Sequence, residues 1–483
     1  MEGIMEGRLS DIEPKKVFEF FEQLTRIPRP SGNEKAASDF LVSFASERGL
    51  IAYRDDFNNV TILKPATSGM EEKPTVILQA HMDMVAVADE DSATDPAKDP
   101  LDIYVDGDFI KARGTSLGAD DGIGVAFILA ILDSSDISHP MIEAVFTTDE
   151  EVGLEGANGY DTSHIKGTRF INIDTEEENH IVTGCAGGVR CDLFTKCKND
   201  KVEGSVYDLS LSNLTGGHSG TEIHKGSANA NVLMGRFLAM AARSVEFSLA
   251  SYEGGSKDNA IATSAKVTVV VKKKNGKAFE KCVKSFGESV LAEYGRTDPD
   301  FAIKCKDKGK GKLEVMGSKD FAKFTALLNL LPNGVIKMSQ STDMTETSAN
   351  IGVVAARPKN YSIRVSLRSN RDAALDWIIG KAEMLAKAYD VQFSANGRYP
   401  AWEYVESDFS RDAKALYERL FNKNIEIVNI HAGLECALFA KKIKGLEAIS
   451  IGPDLFDVHT TSERLSVSSV RREWQYLVEL LKL

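Results

Sequence analysis

The chain has 483 residues, of which 43% are hydrophobic and 27% are charged, the composition of an ordinary globular protein. This composition excludes an intrinsically disordered chain, a collagen-like chain and a small disulfide scaffold. Because 71 acidic residues outnumber 58 basic ones, the formal net charge is -13, and this charge argues against nucleic acid as a partner.

Cysteine usage and the N-terminus both indicate a cytoplasmic protein. The six cysteines are sparse and form no CxxC pair, which argues against a disulfide framework and against a thiolate zinc site. Residues 1–24 carry charges throughout and lack the apolar core of a signal peptide. No later stretch approaches the roughly 20 apolar residues of a membrane span, so we expect no membrane partner.

The N-terminal part of the chain alternates predicted helices and strands. Residues 13–48 predict two helices, because apolar residues at helical spacing are interrupted by the turn signal IPRPSG. The apolar segment 122–132 predicts a helix packed on a sheet. Short runs rich in Val and Ile predict buried strands at residues 60–63, 75–80, 142–147 and 169–173.

The C-terminus resumes this alternation with a predicted strand at residues 446–451 and a helix at 470–481. Both ends of the chain therefore predict one α/β domain, made of residues 1–204 and 392–483. The middle, residues 205–391, has strands such as 207–211, 267–271 and 361–367 and predicts an inserted α+β domain. Its Lys/Gly runs, such as KCKDKGKGKL, are expected to be solvated loops without a binding role.

The first chemically informative motif is His81-Met82-Asp83, which directly follows the apolar run TVILQA. In a doubly wound sheet the carboxyl ends of the strands line the ligand crevice. At strand spacing both side chains lie on one face, so Asp83 can orient His81 as metal-binding histidines require. Alone, the motif leaves a structural histidine as the alternative.

Asp120 and Asp121 stand in GTSLGADDGIG, immediately before the predicted apolar helix. Adjacent carboxylates repel each other, so a glycine-rich turn that carries them favours a bound cation. An acidic helix N-cap remains the alternative for this motif in isolation. A dinucleotide loop is excluded, because GxGxxG is absent and two carboxylates would face the pyrophosphate.

Three further motifs lie just past apolar strands. Glu150 and Glu151 follow IEAVFTT, Asp174 follows RFINI, and His459 lies beyond the last strand. The three glutamates at 176–178 are expected to be solvated. Together, two histidines and three or four carboxylates form a ligand set for two divalent ions, zinc first, with manganese or cobalt as alternatives. A second glutamate beside a ligand glutamate can act as a general base.

The motifs HMDMV, GADDGIG, TTDEEVG, NIDTEE, LTGGHSG and HAGLECALF resemble those of the zinc aminoacylase, carboxypeptidase and dipeptidase clan. Within it the sequence is most similar to the aminoacyl-histidine dipeptidases, over nearly the whole chain. The resemblance implies a zinc-peptidase catalytic domain with a central, mostly parallel sheet, an inserted α+β lid and dimerisation domain, and a homodimer. In such families the peptide bond from Asp120 to Asp121 is often cis.

The resemblance also implies a role for each site residue. The implied metal ligands are His81 and Asp174 on one ion, Glu151 and His459 on the other, and Asp120 bridging both. Glu150 would be the general base, and Asp83 would orient His81. His218 of LTGGHSG would donate to the substrate carbonyl oxygen, while Arg368 and Asn259 would bind the substrate carboxylate. The roles of His224 and His431 stay open, and His139, His164 and His180 receive none.

The function expected from this pattern is hydrolysis of unblocked dipeptides, including Xaa-His substrates. A metal-dependent deacylase of N-acyl amino acids is the alternative, since the sequence does not settle whether the site recognises a free amine. A metal-stabilised binding protein is a third reading. Glu150 and His218 argue against it, because structural metal binding requires neither residue.

Overall fold

The computed structural model describes Leu9 and residues 11–340 and 344–483. The start of the N-terminal segment discussed above, residues 1–8 and 10, lies outside the described residues. Two compact units divide the described chain. The first unit contains the chain up to Gly184, Tyr404–Asn429 and Leu434–Leu483, and the second contains Cys185–Glu403 and Ile430–Gly433.

The secondary structure alternates strands and helices along the whole described chain. In chain order the strands are β1 (Ile51–Arg54), β2 (Val60–Lys64), β3 (Val76–His81), β4 (Ile103–Asp106), β5 (Phe109–Ala112), β6 (Ile142–Thr147), β7 (Arg169–Asn172), β8 (His180–Cys185), β9 (Gly187–Lys196), β10 (Asn199–Ser212), β11 (Phe247–Gly254), β12 (Ala265–Val271), β13 (Ala302–Met316), β14 (Gly334–Met338), β15 (Thr345–Arg357), β16 (Asn360–Ser369), β17 (Gln392–Tyr399), β18 (Glu426–Ile430), β19 (Glu447–Ser450), β20 (Leu455–Phe456) and β21 (Arg464–Ser466). The helices are α1 (Lys15–Leu24), α2 (Lys35–Glu47), α3 (Ala119–Asp133), α4 (Glu155–Gly159), α5 (Ala230–Ala242), α6 (Gly276–Tyr294), α7 (Ser318–Leu330), α8 (Asp372–Ala388), α9 (Asp408–Phe421), α10 (Cys436–Lys442) and α11 (Val467–Leu480). None of the helices in the described part of the chain has the length and apolar character that crossing a bilayer requires.

The first unit is built on an eight-stranded sheet with the order β1-β2-β6-β3-β7-β19-β8-β18. Parallel pairing joins β6, β3, β7 and β19, whereas β1, β2 and β8 pair antiparallel with their neighbours. The predicted α/β class with a central sheet is confirmed. Because parallel pairs at the centre are flanked by antiparallel pairs, the sheet as a whole is mixed.

The core of the first unit lies where α3 packs against α1 and β3. Residues 122–132 of α3 are apolar on all sides and are all buried, as expected for a helix covered on every face. In β3 and β6 every residue is buried, so both strands lack the in-out alternation of a half-exposed strand. The helices and strands predicted for both chain ends are present within a few residues of their expected bounds.

The register of the sheet brings the motif-bearing strand ends together. In the parallel ladders His81 pairs with Thr147, and Gln79 pairs with Asn172. The motifs after β3, β6 and β7 therefore leave the sheet at the same edge. A small sheet with the order β20-β21-β5-β4 carries His459 in the connection between β20 and β21.

The second unit contains an antiparallel sheet with the order β13-β10-β12-β11-β15-β16-β9-β17, and β14 pairs with β15. Helices α5 to α8 pack with this sheet into a separate apolar core. The predicted strands of the middle segment lie within β10, β12 and β16. Helices and antiparallel strands in a segment that interrupts the first unit agree with the predicted inserted α+β organisation.

Two expectations about this segment differ from the structure. The unit boundaries fall after Gly184 and Glu403 instead of at 204/205 and 391/392, because β9 and β17 pair with each other inside the second sheet. KCKDKGKGKL forms part of β13 and not a loop, since this stretch pairs antiparallel with β10. Its lysines are exposed on an edge strand, where lysine side chains discourage pairing with other chains.

The packing of α3 gives a stability test. Ile128 in α3 is fully buried, whereas Ile51 in β1 is 58% exposed. Ile128→Ala should lower the free energy of unfolding by about 2–5 kcal/mol, because it leaves a cavity in the core. Ile51→Ala should change it by less than about 0.5 kcal/mol. Denaturant titrations followed by circular dichroism measure both, and equal costs would contradict the assigned core.

Candidate metal centre

Asp120 lies between the two histidines that the sequence singled out. Its Oδ1 is 3.0 Å from His81 Nε2, and its Oδ2 is 3.1 Å from His459 Nε2. The peptide bond from Asp120 to Asp121 is cis, as the family resemblance implies. His81 is the last residue of β3 and is 1% exposed, whereas His459 is more open. One carboxylate therefore faces both imidazoles.

Two more carboxylates complete the surroundings of these rings. Glu151 Oε1 is 2.8 Å from His459 Nε2, and Asp174 Oδ1 is 3.5 Å from His81 Nε2. Asp120, Glu151 and His459 form one cluster whose donor atoms all lie within 4.8 Å of one another. His81 and Asp174 belong to a second such cluster, and its third member is Asp121.

The sequence analysis assigned no role to Asp121. Its hydrogen bonds explain its position. Its Oδ2 accepts the backbone N–H of His81 at 3.2 Å, and its Oδ1 accepts the backbone N–H of Gly124 at 3.1 Å. Both oxygens thus bind amides of the protein. Asp121 ties the end of β3 to the first turn of α3.

Asp83 contacts His81, as predicted, and also contacts three further residues. Its Oδ1 lies 3.3 Å from His81 Nδ1, and it accepts backbone N–H groups of Glu150 and Glu151 at 3.1 and 3.2 Å. Ser31 donates a further hydrogen bond at 2.8 Å. This fully buried carboxylate therefore fixes both the imidazole and the turn that carries the two glutamates.

Burial and charge crowding raise the pKa values of several of these carboxyl groups. Burial, followed by the nearby charges of Asp174 and Glu151, raises the pKa of Glu150 well above its ordinary value. Burial and the charge of Asp120 raise the pKa of Glu151 to about 7. Such crowding of carboxylates is unfavourable unless positive charge offsets it.

The donor set fits divalent cations. Imidazole nitrogens and carboxylate oxygens are the ligands that zinc and related ions prefer, and three or four per ion is the usual number from the protein. His81 Nδ1 is buried 3.3 Å from Asp83 Oδ1, and this arrangement orients ligand histidines. Glu150 forms a further cluster with His81 and Glu151, so it lies beside the donors.

The second unit holds the other predicted residues. His218 Nδ1 accepts the backbone N–H of Thr221 at 3.1 Å, which places the proton of the neutral ring on Nε2. The loops of His218 and Asn259 are joined, because Ser219 N–H donates to Asn259 O at 2.8 Å and His218 forms a bridge with Ala260. His218 and Asn259 therefore lie close together within this unit.

Arg368 on β16 lies beside the His218 loop. A Cβ built on Gly220 would lie 3.1 Å from His218 Cε1, 3.3 Å from Arg368 Nε, and in collision with His431 O, so the absence of a side chain at 220 allows this approach. Arg368 is 9% exposed and donates to Tyr399 OH at 3.0 Å. Its Nε is buried without a hydrogen-bond partner in the described part of the chain.

A family model described as "Peptidase family M20/M25/M40" matches residues 77–483 of this chain. The chain belongs to peptidase family M20/M25/M40. It is 37% identical to the cytosol non-specific dipeptidase of Escherichia coli over 99% of both chains. The crystal structure of an aminoacylhistidine dipeptidase from Vibrio alginolyticus superposes with a TM-score of 0.85 at 36% identity, covering 98% of this chain and 97% of that one. The predicted resemblance is confirmed.

The fold is shared more widely in this family. The aminopeptidase PepT of Bacillus cereus superposes with a TM-score of 0.56 at 15% identity, and the superposition covers 98% of each chain. At this identity the likeness concerns the fold alone.

In the HAGLECALF segment of this M20/M25/M40 member, sequence reasoning missed Glu435 and left the role of His431 open. Glu435 is fully buried, accepts hydrogen bonds from Gln79 and Thr147, and has its pKa raised by burial to about 8. His431 is 3% exposed and bonds Ser348 Oγ through Nε2 at 2.7 Å and Asn370 Oδ1 through Nδ1 at 3.0 Å. The only sequence signal was their position within one motif.

Among the other residues, three histidines were left open or without a role, and the glutamates at 176–178 were expected to be solvated. His224 is exposed, His164 stacks on Tyr53, and His180 pairs with Glu177. Glu178 was expected to be solvated, and this expectation is wrong. It is 8% exposed and forms a forked pair with Arg472 of α11, which the linear sequence could not reveal.

The environment of His431 predicts a pH effect on stability. Burial, and then the charge of Arg368, lowers the pKa of His431 from 6.5 to about 3. Because the unfolded chain binds this proton more readily, the ring's contribution to stability is complete above pH 6.5 and is lost as pH falls towards 3. Between pH 6.5 and 5 the loss should be about 2 kcal/mol.

His431→Asn should remove this pH dependence from the free energy of unfolding. Denaturant titrations of both proteins at pH 5, 6 and 7 measure the difference, with the surface variant His224→Asn as control. If wild type and His431→Asn have the same pH slope, His431 is not a neutral buried ring.

Proposed function

We propose that the protein is a two-metal dipeptidase that hydrolyses unblocked dipeptides with a free C-terminal carboxylate. Broad specificity, including Xaa-His substrates, is part of this proposal. It rests on one observation above all: the two oxygens of Asp120 face His81 and His459 at 3.0 and 3.1 Å. The names of the relatives from Escherichia coli and Vibrio alginolyticus support the same activity.

Each metal is assigned its own histidine. His81 and Asp174 would hold one ion, Glu151 and His459 the other, and Asp120 both. Zinc is the first choice because it favours this mixture of imidazole and carboxylate, with manganese and cobalt as alternatives. When bound, such a pair of ions polarises the scissile carbonyl and activates water.

The protein supplies proton transfer and orientation. Glu150 would accept a proton from the attacking water and deliver it to the leaving amine. Asp83 would hold His81 and the Glu150–Glu151 turn in place through its four contacts. His218 would donate from Nε2 to the carbonyl oxygen as charge develops there.

Arg368 and Asn259 would bind the substrate carboxylate. A guanidinium group offers two parallel N–H donors to a carboxylate, and Arg368 keeps a buried Nε without a partner among the described residues. Such a donor is costly unless a ligand satisfies it. The amide of Asn259 would add a further donor to the same group.

The alternative is a deacylase of N-acyl amino acids with the same metals. It differs in the treatment of the substrate amine, which is free in a dipeptide and blocked in an N-acyl amino acid. Dialysis against a chelator, readdition of zinc, manganese or cobalt, and rates for a panel of dipeptides and N-acetyl amino acids would decide. Hydrolysis of the N-acetyl compounds alone would overturn the dipeptidase proposal.

We also propose a cytoplasmic location and a homodimer with the second unit as lid and dimerisation domain. The word "cytosol" in the name of the Escherichia coli relative supports the location. Sedimentation velocity of the purified protein tests the assembly, and a monomer at micromolar concentration would refute it.

The assignment of Glu150 predicts a separation between metal binding and turnover. Glu150→Gln keeps the shape of the side chain but removes the proton acceptor. Turnover should fall by about 100- to 10,000-fold. Metal content, measured by plasma emission spectrometry, should stay at the wild-type value.

Glu155→Gln on the exposed surface of α4 is a matched control and should keep wild-type rates. Asp120→Ala should instead lose metal, since it removes the carboxylate whose two oxygens face His81 and His459. Near-normal activity of Glu150→Gln would refute its role as the base.

The assignment of Arg368 predicts a change in substrate preference. Arg368→Ala should raise KM for dipeptides by about 10- to 100-fold, because a charge-assisted contact is lost. It should also make a C-terminally amidated dipeptide no worse than the free acid. Steady-state kinetics on both substrates measure these effects.

Arg364 provides the control, because it lies on the same strand, is exposed and pairs with Asp192. Arg364→Ala should keep the preference for the free acid. If Arg368→Ala keeps it by the wild-type margin, another residue binds the carboxylate, and Asn259 is the first to test.

A further inference from the structure

The loop that carries Asp120 is held by one buried carboxylate. Glu463 is 3% exposed, and its two oxygens accept four consecutive backbone N–H groups. Oε2 accepts from Leu117 at 2.8 Å and Gly118 at 3.0 Å, and Oε1 accepts from Ala119 at 2.8 Å and Asp120 at 3.3 Å. Hydrogen bonds to an ionised acceptor are stronger than neutral ones, so this loop is firmly anchored.

Glu463 also belongs to the segment of His459. The two residues lie in the connection between β20 and β21, four positions apart. One carboxylate therefore links the loop of the proposed bridging ligand to the segment of a proposed terminal ligand. The linkage passes entirely through backbone amides on the loop side, so it fixes the path of the main chain.

A buried arginine binds the same loop through a backbone carbonyl oxygen. Arg29 is 1% exposed, and its Nη1 donates to Met82 O and Asp83 O at 2.9 Å each. Its Nη2 donates to Gly118 O. Arg29 thus connects the end of β3, which carries His81 and Asp83, to the loop that carries Asp120.

The glycines of GADDGIG make room for this guanidinium. A Cβ at Gly118 would lie 2.8 Å from Arg29 Nη2, and one at Gly122 would lie 2.5 Å from it. Gly118 also has a φ of +63°, a conformation that residues with a side chain rarely adopt. The approach of an arginine thus explains the glycines at positions 118 and 122.

We propose that Arg29 and Glu463 are positioning residues that hold the Asp120 loop in its ligand geometry before metal binds. This inference rests on the proposed two-metal function. The loop must keep Asp120 beside the other carboxylates of the site, and their mutual repulsion opposes that arrangement while no cation is bound. Because the loop is already anchored on both sides, metal binding does not have to supply the free energy of ordering it.

The consequence is measurable as metal affinity. Partners that orient metal ligands typically contribute about 10- to 100-fold to affinity. Glu463→Gln keeps the size of the side chain but turns an N–H2 group towards backbone N–H donors. The apo protein of this variant should bind zinc about 10- to 100-fold more weakly in competition with a chromophoric chelator, while kcat at saturating zinc stays within a few-fold of wild type.

Glu473→Gln is the matched control. Glu473 is also a glutamate of the first unit, 1% exposed on α11, and none of its described contacts involves the Asp120 loop. Its substitution should change thermal stability without changing zinc affinity. Arg29→Lys provides a second variant if Glu463→Gln does not fold. It keeps the charge but loses the planar fork whose two nitrogens donate to Met82 O, Asp83 O and Gly118 O, so it should also weaken zinc binding.

The outcomes distinguish a failure of the positioning role from a failure of the proposed two-metal function. Weaker zinc binding by Glu463→Gln or Arg29→Lys, with wild-type affinity in Glu473→Gln, supports the positioning role. Wild-type affinity in the loop variants, or equal weakening in the control, overturns it and leaves the two-metal dipeptidase standing. A wild-type protein that binds no zinc, manganese or cobalt overturns the proposed function and the positioning role with it.

Discussion

Repulsion between carboxylates is the constraint on which the arrangement of the first unit depends. The ends of β3, β6 and β7 deliver acidic side chains to one edge of the sheet, and burial strengthens their repulsion. An ordinary fold would avoid this concentration of like charge. Here the surrounding chain accommodates it, through amide donors, through a buried guanidinium and through a geometry that suits cations.

The acidic residues of the site divide into two kinds by what their oxygens contact. Asp83, Asp121 and Glu463 accept backbone N–H groups and so hold the main chain, and Asp83 also faces Nδ1 of His81. Asp120, Glu151 and Asp174 turn oxygens towards imidazole nitrogens. This difference separates positioning residues from proposed ligands more sharply than residue type does. It also accounts for two adjacent aspartates with different tasks, one facing the rings and the other securing the helix start.

The sequence predicted the elements whose signals are local. The buried strands and α3 follow from continuous apolar runs, and the ligand motifs follow from their position just past those runs. Arg29 and Glu463 were missed, and the role of His431 stayed open, because each acts on groups far along the chain. Arg29 reaches Gly118 O, and Glu463 reaches amides more than 300 positions away. The domain boundaries failed for the same reason, since the pairing of β9 with β17 joins segments that are distant in sequence.

The second unit contains a nearly buried positive charge, whereas the first unit contains crowded carboxylates. Arg368 is nearly buried, and the ring beside it, His431, is held neutral by burial and by the arginine itself. A charged imidazole there would repel the guanidinium and would compete for an anion. The Asn259 segment is fixed by Asn350, whose amide donates to the carbonyls of Asp258 and Ala260 on either side at 3.0 and 2.8 Å. A buried guanidinium beside a neutral imidazole suits a single carboxylate, as the crowded acidic edge of the first unit suits cations.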